Sequence, residues 1–177
     1  MNDLNFLTAV EMAEGVRRGK ISPVELVDAH IARIEQLNPK LNAFVHTDFA
    51  RAREDARKAE ATAQAARGKP NAMDKLGALH GVPITIKSSI DVAGYPSECG
   101  SKLRKWIVAL TDAPLVQRLR AAGAIVLGST NVPEFLMAYE TDNLIYGRTN
   151  SPWDLARTPG GSSGGDCGGL LGRCSWQ

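Results

Sequence analysis

The sequence predicts an α/β protein whose mixed, largely parallel sheet has flanking helices and is preceded by N-terminal helices. Two observations support this class. Helix start signals occur twice before residue 30, and two apolar segments typical of buried strands, 84–90 and 124–128, alternate with helical segments from about residue 84 onward. The order strand, helix, strand, helix is typical of a sheet with parallel strands, because each helix returns the chain to the same edge.

Each of the first two helices has its own start signal. Thr8 and Glu11 have the spacing of a capping box, and Gly19 follows as a stop. Ser22, Pro23 and Glu25 repeat the pattern of N-cap, first-turn proline and third-position glutamate. The second helix should bury the residues that recur at helical spacing: Val24, Val27, Ile31 and Ile34.

The central part of the chain continues with a short strand and a long helix. Residues 42–45 are predicted to form the strand, and residues 48–66, rich in Ala, Arg, Glu and Lys, the helix. Gly68, Pro70 and Asn71 are typical of the loop that ends it.

From residue 76 onward the pattern changes to strands. Residues 84–90 are predicted to form a strand, 113–122 a helix with Asp112 as its cap, and 124–128 a fully buried strand. A further helix is expected to begin at Pro133.

Composition favours a globular protein without nucleic-acid or membrane partners. Hydrophobic residues make up 44% and charged residues 23%, the net charge is +2, and basic residues are interleaved with acidic ones. The first residues lack a secretory pattern, and the three cysteines form no CxxC pair. We therefore expect a cytoplasmic protein with no metal site and no cofactor.

Lys87 is the first candidate for chemistry. Alternation along the predicted strand places it on one face with Thr85 and Ser89, opposite the isoleucines. A lysine desolvated beside hydroxyls favours the neutral amine, which can accept a proton. The competing interpretation, and the commoner one for a single lysine, is an edge-strand side chain that points to water.

The second candidate is the glycine-serine loop PGGSSGG at 159–165. Taken alone, it fits a flexible linker, an anion-binding loop, or a loop that places a serine hydroxyl in a catalytic hydrogen-bond chain. It lacks the Gly-Lys-Ser/Thr ending of a P-loop, so nucleotide binding is disfavoured.

An ordered series of motifs resembles the amidase signature family. The resemblance extends from Thr8 to Gly165, is densest from Leu79 onward, and is carried by residues 79–87 (LHGVPITIK), 128–135 (GSTNVPEF), 146–154 (YGRTNSPWD) and 159–165 (PGGSSGG). It implies a partial amidase-signature fold and a serine–serine–lysine mechanism that cleaves small-molecule amides, sometimes esters.

The resemblance also implies roles for individual residues. Lys87 would be the base, and Ser162, preceded by a cis peptide bond, the relay. Ser163 and the loop glycines would support that geometry: Gly160, Gly161, Gly164 and Gly165. If these assignments hold, Lys87 and Ser162 should lie within about one hydrogen bond or one bridging water of each other.

Two departures from the family pattern stand out. Ser88 follows the base lysine where many relatives have aspartate, and after Gly165 the expected small-residue helix and Gly-Thr/Ser-Asp-x-Gly-Gly-Ser nucleophile segment do not follow. We expect an amidase domain truncated before its nucleophile and inactive as it stands. Its parts would be an N-terminal helical part (1–70), the start of the amidase-signature core (71–165) and an aberrant tail (166–177). Codons for the tail can be chosen so that a shifted frame encodes a small-residue helix, which suggests a frameshift.

Two other functions stay open. One is the A-type subunit of a glutamine-dependent tRNA amidotransferase, which shares these motifs and works with partner subunits, although residues 139–148 resemble free-standing amidases more closely. The other is a non-catalytic fragment or binding module. Copurifying subunits would favour the first, and a folded chain without turnover would favour the second.

Overall fold

A computed structural model describes residues 4–69 and 71–169 of the chain. The helices and strands, in chain order, are α1 (Ala9–Arg17), α2 (Pro23–Leu41), β1 (Phe44–Thr47), α3 (Phe49–Ala66), β2 (Pro83–Lys87), α4 (Pro114–Ala121), β3 (Ile125–Thr130) and α5 (Gly164–Gly169). None of the helices described is long and apolar enough to cross a bilayer.

The predicted helix starts are confirmed. The Thr8 side chain accepts a hydrogen bond from the Glu11 amide, and Glu11 Oε2 accepts one from the Thr8 amide at 2.7 Å, which completes the capping box. At the start of α2, Ser22 Oγ accepts from the Glu25 amide at 3.3 Å. These bonds satisfy amide groups that have no partner within the helix, so each helix begins where its cap lies.

Strand β1 begins two residues later than predicted. Helix α2 continues to Leu41, and Asn42 then takes a φ of 50°. The Asn38 side chain accepts hydrogen bonds from the amides of Ala43 and Phe44 at 2.9 and 2.8 Å. Because these two bonds fix the backbone that follows α2, strand pairing starts only at Phe44.

The two later strands also differ from their predicted bounds. Strand β2 ends at Lys87 instead of continuing to Ile90, because the Ile90 amide donates to the Lys87 carbonyl at 2.9 Å and closes a turn. Strand β3 runs to Thr130, two residues beyond the prediction, and all six of its residues are buried. Helix α4 lies within the predicted 113–122 segment.

The helix predicted from Pro133 is wrong. Only a 3₁₀ turn forms at Glu134–Leu136, and Phe135 and Leu136 have φ values of 48° and 63°. The Phe135 amide donates to the Cys99 carbonyl at 3.0 Å, and Ser101 Oγ donates to Glu134 Oε1 at 2.6 Å. These contacts with a distant segment hold the left-handed backbone that prevents a helix.

The three strands form one sheet in the order β1-β3-β2. Strand β1 is antiparallel to β3, with Phe44 opposite Thr130. Strands β2 and β3 run in the same direction, since the Ile125 amide donates to the Val82 carbonyl and the Ser88 amide to the Thr130 carbonyl. The sheet is therefore mixed, in agreement with the predicted fold class.

The chain divides into two compact units, each made of several segments. The first comprises the described residues of 1–33, 48–84 and 117–127, and the second those of 34–47, 85–116 and 128–177. An apolar cluster in the first unit joins α1 to α2 and to the residue before β2 through Met12, Val16, Leu26 and Val82.

Buried polar groups are characteristic of the second unit. Asn131, Thr141 and Thr149 are fully buried and hydrogen-bonded. All the predicted site residues that belong to the loop lie in this unit.

Candidate functional site

Lys87 is the last residue of β2, and its side chain points away from the apolar face of the strand. Ile86 is buried on one side, while Thr85 and Lys87 on the other are half-buried. The alternation predicted for this strand is therefore observed, although Ser89 lies in the following turn and not on the strand.

The glycine-serine loop brings two hydroxyl groups to Lys87. Lys87 Nζ donates to Ser162 Oγ at 2.8 Å and to Ser163 Oγ at 3.1 Å, although Lys87 and Ser162 lie 75 residues apart in the chain. The predicted proximity of Lys87 and Ser162 is confirmed. Strand β2 is an edge strand, as the competing interpretation held, but the Lys87 side chain contacts these two hydroxyls and does not simply point to water. The peptide bond between Gly161 and Ser162 is cis, as the family resemblance implied.

Two of the loop glycines, Gly164 and Gly165, lie where a side chain would not fit. A Cβ on Gly164 would lie 2.3 Å from Thr141 Oγ1, and a Cβ on Gly165 would lie 2.4 Å from the backbone nitrogen of Asn131. Contacts below 3.0 Å force something to move, and backbone atoms cannot easily do so. Glycine is therefore required at both positions for the close approach of the loop to its neighbours.

A carboxylate that sequence reasoning did not select lies beside the lysine–serine group. Asp166 Oδ1 accepts hydrogen bonds from Thr130 Oγ1 at 2.6 Å and from Thr85 Oγ1 at 3.3 Å. Thr85 and Lys87 lie on the same face of β2. The alternation of side chains along the strand could therefore have predicted that Thr85 lies near the site. Asp166 was predicted to begin an aberrant tail, and it nevertheless connects the start of α5 to two strands.

The rest of that predicted tail is only partly described. Helix α5 continues to Gly169, while residues 170–177, including Cys174 and Ser175, lie outside the described residues.

Two side chains in the second unit have perturbed acid–base behaviour. Burial raises the pKa of the Tyr146 hydroxyl, and the hydrogen bond that this hydroxyl donates to Glu98 raises the pKa further. Burial also raises the pKa of the Cys99 thiol, with Arg104 opposing the shift. Neither group forms a hydrogen bond with Lys87 among the described contacts, although Lys87 also opposes the rise in the pKa of Cys99 through its charge.

The geometry defines what the site can do. An amine and a hydroxyl at 2.8 Å can exchange a proton directly, and a serine hydroxyl can donate and accept at the same time. Within residues 4–69 and 71–169, no three His, Cys, Asp or Glu side chains converge in a way that could hold a metal ion. The geometry thus permits proton transfer between Lys87 and Ser162.

Comparison with known proteins relates this arrangement to a family. A family model for amidases matches residues 25–170. Indoleacetamide hydrolase of Bradyrhizobium diazoefficiens is 47% identical over 158 residues, which is 89% of this chain and 29% of that protein. The A-type subunit of glutamyl-tRNA(Gln) amidotransferase from Streptomyces coelicolor is 41% identical over 170 residues, which is 96% of this chain and 33% of that protein.

A solved structure shows the same fold. The structure of 6-aminohexanoate cyclic dimer hydrolase superimposes with a TM-score of 0.80 at 34% identity, covering 96% of this chain and 33% of that one. The chain thus spans about a third of the length of the curated relatives it matches. Since the family model covers most of its residues, the chain belongs to the amidase family.

Proposed function

We propose that this chain carries the base and the relay of a hydrolase that cleaves carbon–nitrogen bonds in small linear amides. The observation that carries the proposal is the 2.8 Å hydrogen bond between Lys87 Nζ and Ser162 Oγ. Membership of the amidase family supports it, and the family resemblance of the surrounding motifs assigns the base to Lys87 and the relay to Ser162.

The proposed proton path runs through both residues. As the base, Lys87 takes the Ser162 hydroxyl proton while Ser162 Oγ takes the proton of an attacking serine. The oxygen of that serine bonds to the amide carbonyl carbon as the C=O π electrons move onto the carbonyl oxygen. The same path returns a proton to the departing amine when the carbon–nitrogen bond breaks, and water then hydrolyses the acyl-serine to release the acid and restore the serine. Ser163 Oγ, 3.1 Å from Lys87 Nζ, gives the amine a second hydrogen-bond partner beside Ser162.

Turnover by this path needs a nucleophile that the 177 residues do not provide. The family resemblance places it in a Gly-Thr/Ser-Asp-x-Gly-Gly-Ser segment together with the oxyanion hole, and no such segment occurs in the sequence. The proposal is therefore that the 177-residue chain alone forms the lysine–serine pair but hydrolyses no amide.

A chimera would test the roles of Lys87 and Ser162 directly. Residues 1–165 would be joined to the remaining part of the Bradyrhizobium relative, which is 47% identical over the matched region. We expect the chimera to hydrolyse small linear amides, and Lys87→Ala and Ser162→Ala each to lower kcat by about 10²–10⁴-fold, the contribution typical of a positioned base.

The matched control is Lys102→Ala, because Lys102 is an exposed lysine of the same unit. An active chimera that keeps its rate after Lys87→Ala would rule out the proposed base. The 177-residue chain should hydrolyse no amide and form no adduct with a serine-directed fluorophosphonate. Turnover or labelling by this chain would disprove its proposed inactivity.

A second function is favoured by one comparison. The Streptomyces coelicolor relative, which belongs to a glutamyl-tRNA(Gln) amidotransferase, matches 96% of this chain at 41% identity. The same lysine–serine pair would then release ammonia from an amide donor for transfer within a complex. Copurification of partner subunits with the chain would favour this function, whereas a chimera that hydrolyses amides without partners would favour the free-standing hydrolase.

A further inference from the structure

One threonine hydroxyl holds both ends of the glycine-serine loop. Thr141 Oγ1 donates to the Gly160 carbonyl at 2.7 Å and accepts from the Gly164 amide at 3.1 Å. Ser162 and Ser163 lie between these two points. A single buried side chain therefore determines the span of the loop that presents both hydroxyls.

The loop fits tightly against the segment that contains this threonine. A Cβ on Gly164 would lie 2.3 Å from Thr141 Oγ1, and one on Gly161 would lie 3.0 Å from the Tyr139 carbonyl carbon. Such short distances leave no room for a side chain at Gly164 and little at Gly161, so the loop approaches residues 139–141 closely. The contact between the loop and Thr141 thus depends on the threonine hydroxyl and also on the glycines, which let the loop approach it closely.

Thr141 is itself fixed by a buried polar network. Its amide donates to Thr158 Oγ1 at 3.2 Å, and its carbonyl accepts from the Thr149 amide at 2.9 Å. Thr149 Oγ1 in turn accepts from Asn131 Nδ2 at 3.0 Å and donates to the Asn42 carbonyl at 2.7 Å. Networks in which every member is satisfied hold their groups rigidly.

We propose that Thr141 is a positioning residue whose hydroxyl sets the loop conformation that places Ser162 Oγ at Lys87 Nζ. The importance of that placement for catalysis depends on the proposed function, but the placement itself does not. Thr141 touches neither Lys87 nor Ser162 through a hydrogen bond given by the structure, so its effect passes through Gly160 and Gly164.

The test compares Thr141→Val, which has the same shape without the hydroxyl, with Thr141→Ser, which keeps it. The readout is the rate at which an amine-reactive anhydride acylates Lys87 in the 177-residue chain, relative to the exposed Lys102, by peptide mapping. Loss of a hydrogen bond worth about 1 kcal/mol corresponds to about a fivefold change. We expect about fivefold faster acylation of Lys87 in Thr141→Val, as in Ser162→Ala, and an unchanged rate in Thr141→Ser.

Ser22→Ala provides the control, because the Ser22 hydroxyl bonds Glu60 and caps α2, and it bonds none of the residues around Thr141. It should lower stability while leaving Lys87 acylation unchanged. An unchanged Lys87 rate in folded Thr141→Val, or an equal increase in Ser22→Ala, would overturn the proposal.

A measurement on the unmodified chain covers the case in which Thr141→Val does not fold. Hydrogen exchange of the Gly164 amide should be protected, because that amide donates to Thr141 Oγ1. Exchange at the rate of an unstructured peptide would overturn the proposal. Neither measurement requires turnover. A failed chimera assay would therefore leave the result for Thr141 unaffected, and a negative result for Thr141 would leave the chimera assay unaffected.

Discussion

Replacing Asp166 tests whether its carboxylate stabilises the folded chain. Asp166→Ala removes the oxygen that accepts from Thr130 Oγ1 at 2.6 Å and from Thr85 Oγ1 at 3.3 Å. Thr130 is fully buried, so its hydroxyl would lose its acceptor without gaining water. Asp166→Asn keeps an oxygen at the same place and is the conservative comparison.

The magnitude follows from the shorter of these two bonds. A hydrogen bond to a charged acceptor contributes about 1.5–3 kcal/mol, and stranding a buried hydroxyl costs about 1–3 kcal/mol. Both figures describe the same loss and are not added. We therefore expect Asp166→Ala to lower the free energy of unfolding by ~2–3 kcal/mol, and Asp166→Asn by ~1 kcal/mol because its acceptor is uncharged.

A double-mutant cycle in urea, followed by far-ultraviolet circular dichroism, measures the pair itself. Thr130→Val keeps the shape of the side chain and removes the donor. Once the donor is absent, Asp166→Ala has less to lose, and the coupling should be about 1–2 kcal/mol. Additive effects of the two substitutions, or an Asp166→Ala variant within ~0.5 kcal/mol of the parent, would refute this account.

Four further predictions address other positions. Ser88 Oγ is buried without a hydrogen-bond partner among the described residues, so Ser88→Ala should leave the free energy of unfolding unchanged or raise it by up to ~1 kcal/mol. Ser101→Ala, which removes the 2.6 Å bond to Glu134, should lower the free energy of unfolding by ~1–2 kcal/mol in the same urea assay. An equal loss of stability in Ser88→Ala and Ser101→Ala would contradict the reasoning. Because burial raises the pKa of Cys99, iodoacetamide should alkylate this thiol more slowly than glutathione at about pH 8, and the rate should increase only at higher pH. The thiol of the unfolded chain loses its proton at lower pH than that of the folded chain. The free energy of unfolding should therefore fall as the pH rises above the ordinary thiol range. Gly165→Ala places a Cβ 2.4 Å from the backbone nitrogen of Asn131, so it should lower the free energy of unfolding by about 1–3 kcal/mol and should speed the acylation of Lys87. The control Gly68→Ala is strained only by its φ of 75° and should leave the acylation rate of Lys87 unchanged.

Local signals predicted the elements whose causes are local. The capping box at Thr8 and Glu11 involves residues three apart, so the start of α1 follows from the sequence. The buried strand β3 was recognisable because apolar residues are continuous there. The contact between Lys87 and Ser162 was predicted only through the family resemblance, since nothing in either local sequence refers to the other.

The failures have long-range causes. Residues 133–135 look like a helix start, but the Cys99 carbonyl and Ser101 hydroxyl hold the segment in a left-handed turn. The role of Asp166 as an acceptor depends on Thr85 and Thr130, which lie on two different strands. Thr141 carries no motif of its own, and its importance emerges only when both ends of the glycine-serine loop are seen to meet it.

The segmented make-up of the two units has a consequence for synthesis on the ribosome. The first unit has all of its segments once residue 127 has emerged, whereas the second includes residues 34–47 and needs partners from 128 onward. Chains emerge at roughly 5–20 residues per second, and units fold as their last segment becomes free. The segment 34–47 must therefore wait for several seconds of translation, and the contact between Lys87 and Ser162 cannot form before the loop at 159–165 has emerged.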